Sequence, residues 1–151
     1  MRLSVKCLLA LLTLGLSVHT SALTCSVLSA FLAFGAYGPL ANARTDKTAL
    51  GAVQIHCDGA TTVTVRILAN RTFSQGRALA NAGENLRYEL YADAGYRQLL
   101  GDGTDGSVSL SYKFAAPGTC TIPVYGRIPR GQVSTTAGGY IAAPLLIIDW
   151  R

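Results

Sequence analysis

The chain has 151 residues, half of them hydrophobic, 14% charged, with a net charge of +5. That length suits one domain. The arginines Arg66, Arg71, Arg77, Arg87 and Arg97 are dispersed, not gathered into a stripe interleaved with aromatics, so a nucleic-acid surface is not indicated. No polybasic run points to lipid headgroups either.

The first element is a secretory signal over residues 1–22. Arg2 and Lys6 make a positive start, Leu8 to Val18 is apolar, and Thr20-Ser21-Ala22 ends in small residues. The apolar run is short for a bilayer span. Cleavage after Ala22 leaves a domain of residues 23–151 with a net charge of +3, because two cations and no acid are removed. Export to an oxidising compartment permits disulfides. Three cysteines remain, Cys25, Cys57 and Cys120, so one pair forms and one thiol is left over.

The rest of the chain reads as short strands. Leu23 to Leu40 is β-compatible and closes on Gly35, Gly38 and Pro39. Asn42 to Thr48 reads as a polar loop. AVQIHC then sets Val53, Ile55 and Cys57 against Gln54 and His56, and TTVTVRIL sets Val63, Val65 and Ile67 against Thr62, Thr64 and Arg66. With Asp58-Gly59 between them, the two runs predict a hairpin. Asn70 to Asn85 reads as a long loop or irregular edge. LRYELYAD, VSLSYKF and TCTIPVYG follow as alternating runs, separated by Gly/Asp/Pro turns. Leu145 to Ile148, just after Pro144, predicts a buried last strand that ends within the core. Roughly seven strands at spacings of eight to twelve residues predict an all-β sandwich.

Residues able to carry chemistry are few. His56 is the only histidine after the signal. It lies next to Cys57 on a strand, where adjacent side chains point to opposite faces, so the two do not form a nucleophilic pair. The cysteines lack the close spacing of a zinc site. Asp93, Asp102 and Asp105 could be calcium ligands, but the loop lacks the D-x-D-x-D-G pattern and Asp-Gly is a turn signal; the turn is the reading taken. Asn70-Arg71-Thr72 matches a glycosylation sequon. Glu84 and Glu89 are the only glutamates, and no carboxylates group for acid–base work. Neither an enzyme, nor a cofactor, nor a small-molecule substrate is expected. A secreted hydrolase on a β-sandwich is the class argued against. Cys25 opens the first strand region and Cys57 ends the second. A bridge between them would tie the two strands; Cys25–Cys120 remains the alternative, because spacing does not settle connectivity.

Four stretches carry a family resemblance. CSVLSAFLAFGAYGP, GAVQIHCDGATTVTVRI, LRYELYADAGYRQLLGDG and VYGRIPRGQ followed by AGGY together resemble the spore coat protein U family, which includes subunits of archaic (Csu-type) chaperone-usher pili. The resemblance spans nearly all of residues 23–151. It implies an incomplete immunoglobulin-like sandwich lacking its final edge strand. An apolar groove would be filled first by a periplasmic pilus chaperone, at an outer-membrane usher, and then by a neighbouring subunit. It also implies Cys25 with Cys57 as the disulfide, and apolar groove residues such as Phe31, Phe34, Leu146 and Ile148. Arg127 and Gln132 are expected to shape the loop before the last strand.

Three features depart from the family pattern. Cleavage after Ala22 would leave only Leu23 and Thr24 before Cys25, too little for a donor extension, so a terminal subunit is expected. The last strand reads APLLIIDW instead of alternating Thr and Val. Cys120 lies outside the pattern, and it is expected to be free or to pair between chains. The function expected is thus an exported adhesive or fibre subunit at the cell surface, the alternative being a spore or cell-surface coat protein that needs no usher.

Overall fold

The computed structural model describes residues 22–68, 77–81, 84–132, 136–140 and 145–151. Most of the signal segment, the Asn70-Arg71-Thr72 sequon, Thr135 and Pro144 lie outside the described residues. Eight strands appear among the described residues: β1 (Cys25–Phe31), β2 (Lys47–Cys57), β3 (Thr61–Leu68), β4 (Arg77–Asn81), β5 (Glu84–Tyr91), β6 (Leu110–Phe114), β7 (Gly118–Ile128) and β8 (Leu145–Trp150). The all-β expectation holds. A five-stranded sheet runs β1-β2-β7-β5-β4 and a three-stranded sheet runs β6-β3-β8, with every pairing between named strands antiparallel.

The alternation read in the sequence is the alternation of burial. Val53, Ile55 and Cys57 of β2, Ile122, Val124 and Ile128 of β7, and Val63, Val65 and Ile67 of β3 all point into one core between the sheets. Each buried aliphatic side chain contributes about 1.5–3 kcal/mol relative to its exposed state. These rows therefore hold the two layers together.

The expected β2–β3 hairpin is not formed. β2 pairs with β1 and β7, whereas β3 pairs with β6 and β8, so Asp58-Gly59 carries the chain from one sheet to the other. The reason is physical. Two runs with equally apolar rows bury more by facing each other than by lying side by side in one sheet. Asp58 serves the crossing: its Oδ1 accepts the backbone N–H of Thr24 at 2.8 Å, and its own N–H donates to the Thr24 carbonyl at 3.1 Å.

Of two loop readings, the first resolves to its edge alternative and the second shifts by two residues. The segment from Asn70 to Asn85 contains β4, which forms a hairpin with β5. Its run RALAN is too short to show a period in sequence. β2 begins at Lys47 instead of after Thr48, because Lys47 and Thr48 find partners in Ile128 and Arg127 of β7.

Candidate functional site: the gap between the first and last strands

β1 and β8 are edges of different sheets. They run in opposite directions along one side of the sandwich. At one end the Trp150 indole N–H donates to the Leu23 carbonyl at 3.2 Å. At the other, the chain just past β1 and the chain leading to β8 meet through two backbone bonds, Tyr37 N–H to Gly138 O at 2.8 Å and the reverse at 3.0 Å. Between these two pins no ladder joins β1 to β8 among the described residues.

A cleft of about 670 Å³ opens between the pins. Its walls are Ala30 to Gly35 on one side, Tyr140 and Leu146 on the other, and its floor includes Ile67, Leu90 and Val124. The lining side chains are aliphatic or aromatic, among them the hydroxyl-bearing Tyr88 and Tyr140. Apolar side chains also stand exposed along both edges: Val27, Leu28 and Phe31 on β1, Leu145 and Trp150 on β8. Edge strands with a free backbone row and apolar side chains are templates for pairing.

The register decides which residues face this cleft. On β8, Leu146, Ile148 and Trp150 lie opposite the core-facing Ile67, Val65 and Val63 and so share the core side of the sheet, where Leu146 and Ile148 pack on the core and Trp150 stays exposed, while Asp149 turns outward to accept from Arg66 Nε at 2.9 Å. On β1, Phe31 lies opposite Ala52 and is 63% exposed; it sits at the mouth of the cleft. Phe34 lies past the end of β1, half-buried, with its ring edge-on to Tyr88 at 5.8 Å. Of the four groove residues expected from sequence, Phe31, Phe34 and Leu146 line the cleft. Ile148 packs on the core beyond it. Leu32, not singled out from sequence, lines it too.

Two glycines make room for this arrangement. A Cβ on Gly126 would lie 2.6 Å from the Phe34 ring and 3.0 Å from the Leu32 methyls. A Cβ on Gly51 would lie 2.2 Å from the Phe31 carbonyl oxygen. Bare backbone at these positions lets the chain after β1 turn inward over the five-stranded sheet. Gly35, at φ +69°, then turns it towards Tyr37. Burial, with a smaller effect from Tyr140, pushes the Tyr37 phenol pKa upward, and its hydroxyl donates to the Gln132 carbonyl at 3.3 Å.

Cys25 and Cys57 form the disulfide, closing a loop of sequence separation 32 at the end of the sandwich away from the cleft. By the loop-entropy model that cross-link contributes about 3–4 kcal/mol. Cys120 is free and buried on β7, and burial raises its thiol pKa.

The other candidate residues have structural partners. His56 Nδ1 lies 3.1 Å from the Thr119 hydroxyl on the exposed face. Asp93 Oδ1 accepts the backbone N–H groups of Arg97 and Gln98, and Asp102 Oδ1 accepts the Thr104 N–H and hydroxyl. Among the described residues no three His, Cys, Asp or Glu side chains group as metal ligands.

Gln132 clamps the loop before the last strand. Its amide oxygen accepts the Arg87 N–H at 2.7 Å, and its Nε2 donates to the carbonyls of Arg87 and Pro129. Arg127 acts differently from expectation. It donates to the Tyr91 hydroxyl at 2.8 Å, lies over the Tyr91 and Tyr96 rings, and faces Asp46 at 3.8 Å, so its role is on the sheet face instead of at loop carbonyls.

With this geometry in view, comparison with known proteins adds one decisive match. The Spore Coat Protein U domain model matches residues 10–142. The chain belongs to the spore coat protein U family. That family is one of structural pilus and coat subunits, which places the chain among surface fibre subunits in general. No curated protein matches the chain.

Proposed function

We propose that this spore coat protein U domain is an exported subunit of a chaperone-usher surface fibre, and that its sandwich is completed by a strand from another polypeptide laid between β1 and β8. One observation carries the reading: the apolar cleft lies between two edges of different sheets that, among the described residues, have no ladder between them. A strand of alternating apolar residues would pair with the free backbone and fill the cleft with every second side chain. A periplasmic chaperone would supply that strand first, and the next subunit would replace it at the usher. Residues 1–22 are then the signal peptide and 23–151 the pilin domain, delivered through the periplasm to the cell surface.

The same reading makes the subunit terminal. With cleavage after Ala22, only Leu23 and Thr24 precede the disulfide strand. Both are held by their own domain, Thr24 by Asp58 and Leu23 by Trp150. They accept no role as a donor to a neighbour. Sequencing the mature N-terminus tests this part; a longer extension before Cys25 would overturn the terminal placement.

The main test compares the lone mature chain with a version carrying an alternating apolar strand fused after Arg151 through a flexible linker. Covering two or three large aliphatic side chains' worth of surface contributes on the order of 5 kcal/mol before ordering costs. The fused form should melt many degrees higher. A lone chain that is monomeric and equally heat-stable would overturn the reading.

A further inference from the structure

The outward side of the five-stranded sheet changes character along its strands. Towards the disulfide it is polar: Ser26, His56 and Thr119 lie abreast across β1, β2 and β7, and Ser29, Gln54 and Thr121 form the next such row. Further along it turns apolar and aromatic. Phe31, Ala52 and Pro123 make one row, and Leu50, Tyr125 and Tyr91 the next, on β2, β7 and β5. Phe31 and Ala52 stand where this face meets the cleft, whereas Leu50, Pro123 and Tyr125 lie clear of it. Leu50 is 64% exposed, although the solvent side of an antiparallel sheet normally carries polar side chains.

Tyr96 joins this half from the loop after β5. It is held at φ +54°, a left-handed backbone that a bulky residue rarely takes. Asp93 secures the turn: its carbonyl accepts the Tyr96 N–H at 3.1 Å, and its carboxylate accepts those of Arg97 and Gln98. The Tyr96 ring stands edge-on to Tyr91 at 5.4 Å and to Tyr125 at 6.4 Å. The Arg127 guanidinium lies over the Tyr91 and Tyr96 rings and donates to the Tyr91 hydroxyl. The rings are thereby held in place before any ligand arrives. Among the described residues, the Tyr96 and Tyr125 hydroxyls form no hydrogen bond.

We propose that Leu50, Tyr96 and Tyr125 form a binding platform for a flat, neutral, β-1,4-linked saccharide. Such a chain has its substituents equatorial, so it presents flat C–H faces to apolar side chains and carries hydroxyls around its rim. Leu50 and Tyr125 supply the apolar floor. The Tyr96 and Tyr125 hydroxyls, with Thr48 next to Leu50 on the same face, supply partners for the rim. The charges nearby nearly cancel, Arg127 and Arg97 standing against Asp46, Glu89 and Asp93. A phosphate backbone or an anionic lipid surface would need clustered cations instead. The two apolar rows span about 7 Å along the strands and about 14 Å across them, room for one or two sugar rings. That is far below the roughly 800 Å² per partner of a stable protein–protein interface, so a second copy of this chain does not fit the patch. The platform is independent of the strand-acceptor reading above.

The experiment titrates the oxidised mature chain and follows its backbone amides by NMR. The probes are the tetrasaccharides of β-1,4-linked glucose and β-1,4-linked N-acetylglucosamine, with an α-1,4-linked glucose tetrasaccharide and decaproline for comparison. The β-linked probes should shift the amides of Leu50, Tyr96 and Tyr125 and leave those of Leu146 and Trp150 in place. The α-linked chain, which is curled, should bind more weakly. Leu50→Ala and Tyr125→Ala should each weaken binding by about fivefold or more, Tyr125→Phe by less, and His56→Ala in the polar half not at all. No shift with either β-linked probe would overturn the proposal. So would equal binding of the α-linked chain, or affinity unchanged by Leu50→Ala. Shifts centred on Tyr140 and Leu146 would place the sugar in the cleft and also overturn it. Decaproline acting where the saccharides do not would make the face a peptide-binding surface, with the same result. Leu50 is exposed enough for its truncation to leave the fold intact, and the wild-type mapping stands even where Tyr125→Ala does not fold.

Discussion

The two halves of this sandwich are built from the same strands and differ in completeness. Near the disulfide, Ile55, Cys57 and Val63 are fully buried between the sheets, and the Trp150 indole N–H bonds the Leu23 carbonyl across the side. Near Tyr140, the same β3, β7 and β8 leave Ile67, Val124 and Leu146 as walls of a cleft. Composition separates the halves only in part: branched aliphatics line both, and the cleft adds Phe31, Phe34, Tyr88 and Tyr140. What separates them is the join between the two edges: one half has the Trp150–Leu23 bond across it, and in the other, among the described residues, a cleft stands between β1 and β8. Apolar character in a strand shows that it will be buried, but not whether its own chain does the burying.

The largest expected effect comes from truncating one side chain in each half. Ile55→Ala should destabilise the lone chain by about 2–5 kcal/mol, because it opens a cavity in sealed packing. Leu146→Ala should cost less than about 1 kcal/mol there, since its side chain already borders open space, and more once a donor strand is bound. Urea unfolding with and without a fused donor strand measures both. Equal costs in the lone chain would erase the distinction between the halves.

The two glycines sharpen it. Gly51→Ala meets backbone, the Phe31 carbonyl, so β1 must shift, at a cost of about 2–3 kcal/mol. Gly126→Ala meets only the ends of Leu32 and Phe34, which have the cleft to move into. It should cost about 1 kcal/mol or less, yet weaken binding of a donor strand by narrowing the slot. A Gly126→Ala protein as unstable as Gly51→Ala would mean that Leu32 and Phe34 are rigidly packed.

The smallest effect is on acid. The Gln98 backbone N–H chiefly lowers the Asp93 pKa below its ordinary value of 3.8, and the Thr104 hydroxyl chiefly lowers that of Asp102. A depressed folded pKa means stability that is present above the unfolded value and lost as pH falls through the folded one. Both loops flank Leu100 and Gly101, and the Gly101 carbonyl accepts the N–H of Ile67 in the cleft wall. Below about pH 4, amide exchange should therefore quicken at Ile67 before Ile55 or Val63. Simultaneous exchange across both halves would count against local control by these carboxylates.

Local chemistry made much of this legible. The period-two runs gave β2, β3, β5 and β7, because alternation follows from strand geometry whatever the partner. Asp102 and Asp93 showed themselves as turn residues because a short carboxylate satisfies nearby N–H groups. The groove residues were reached in sequence only through the family resemblance. Leu32 was missed, since its inward position depends on bare backbone at Gly126, far away in the chain. The hairpin expected at Asp58-Gly59 failed for a similar reason: turn residues record that the chain reverses, and not which sheet it enters next.

By itself, then, the sequence determined most of the strands and the faces they bury, both properties of neighbours along the chain. Tertiary structure alone decided which edges stay unpaired among the described residues, that Trp150 reaches the Leu23 carbonyl, and that Gly51 and Gly126 admit the chain after β1. Those outcomes depend on distances between residues remote in sequence. Such distances are set by how two twisted sheets pack, and no local pattern encodes them.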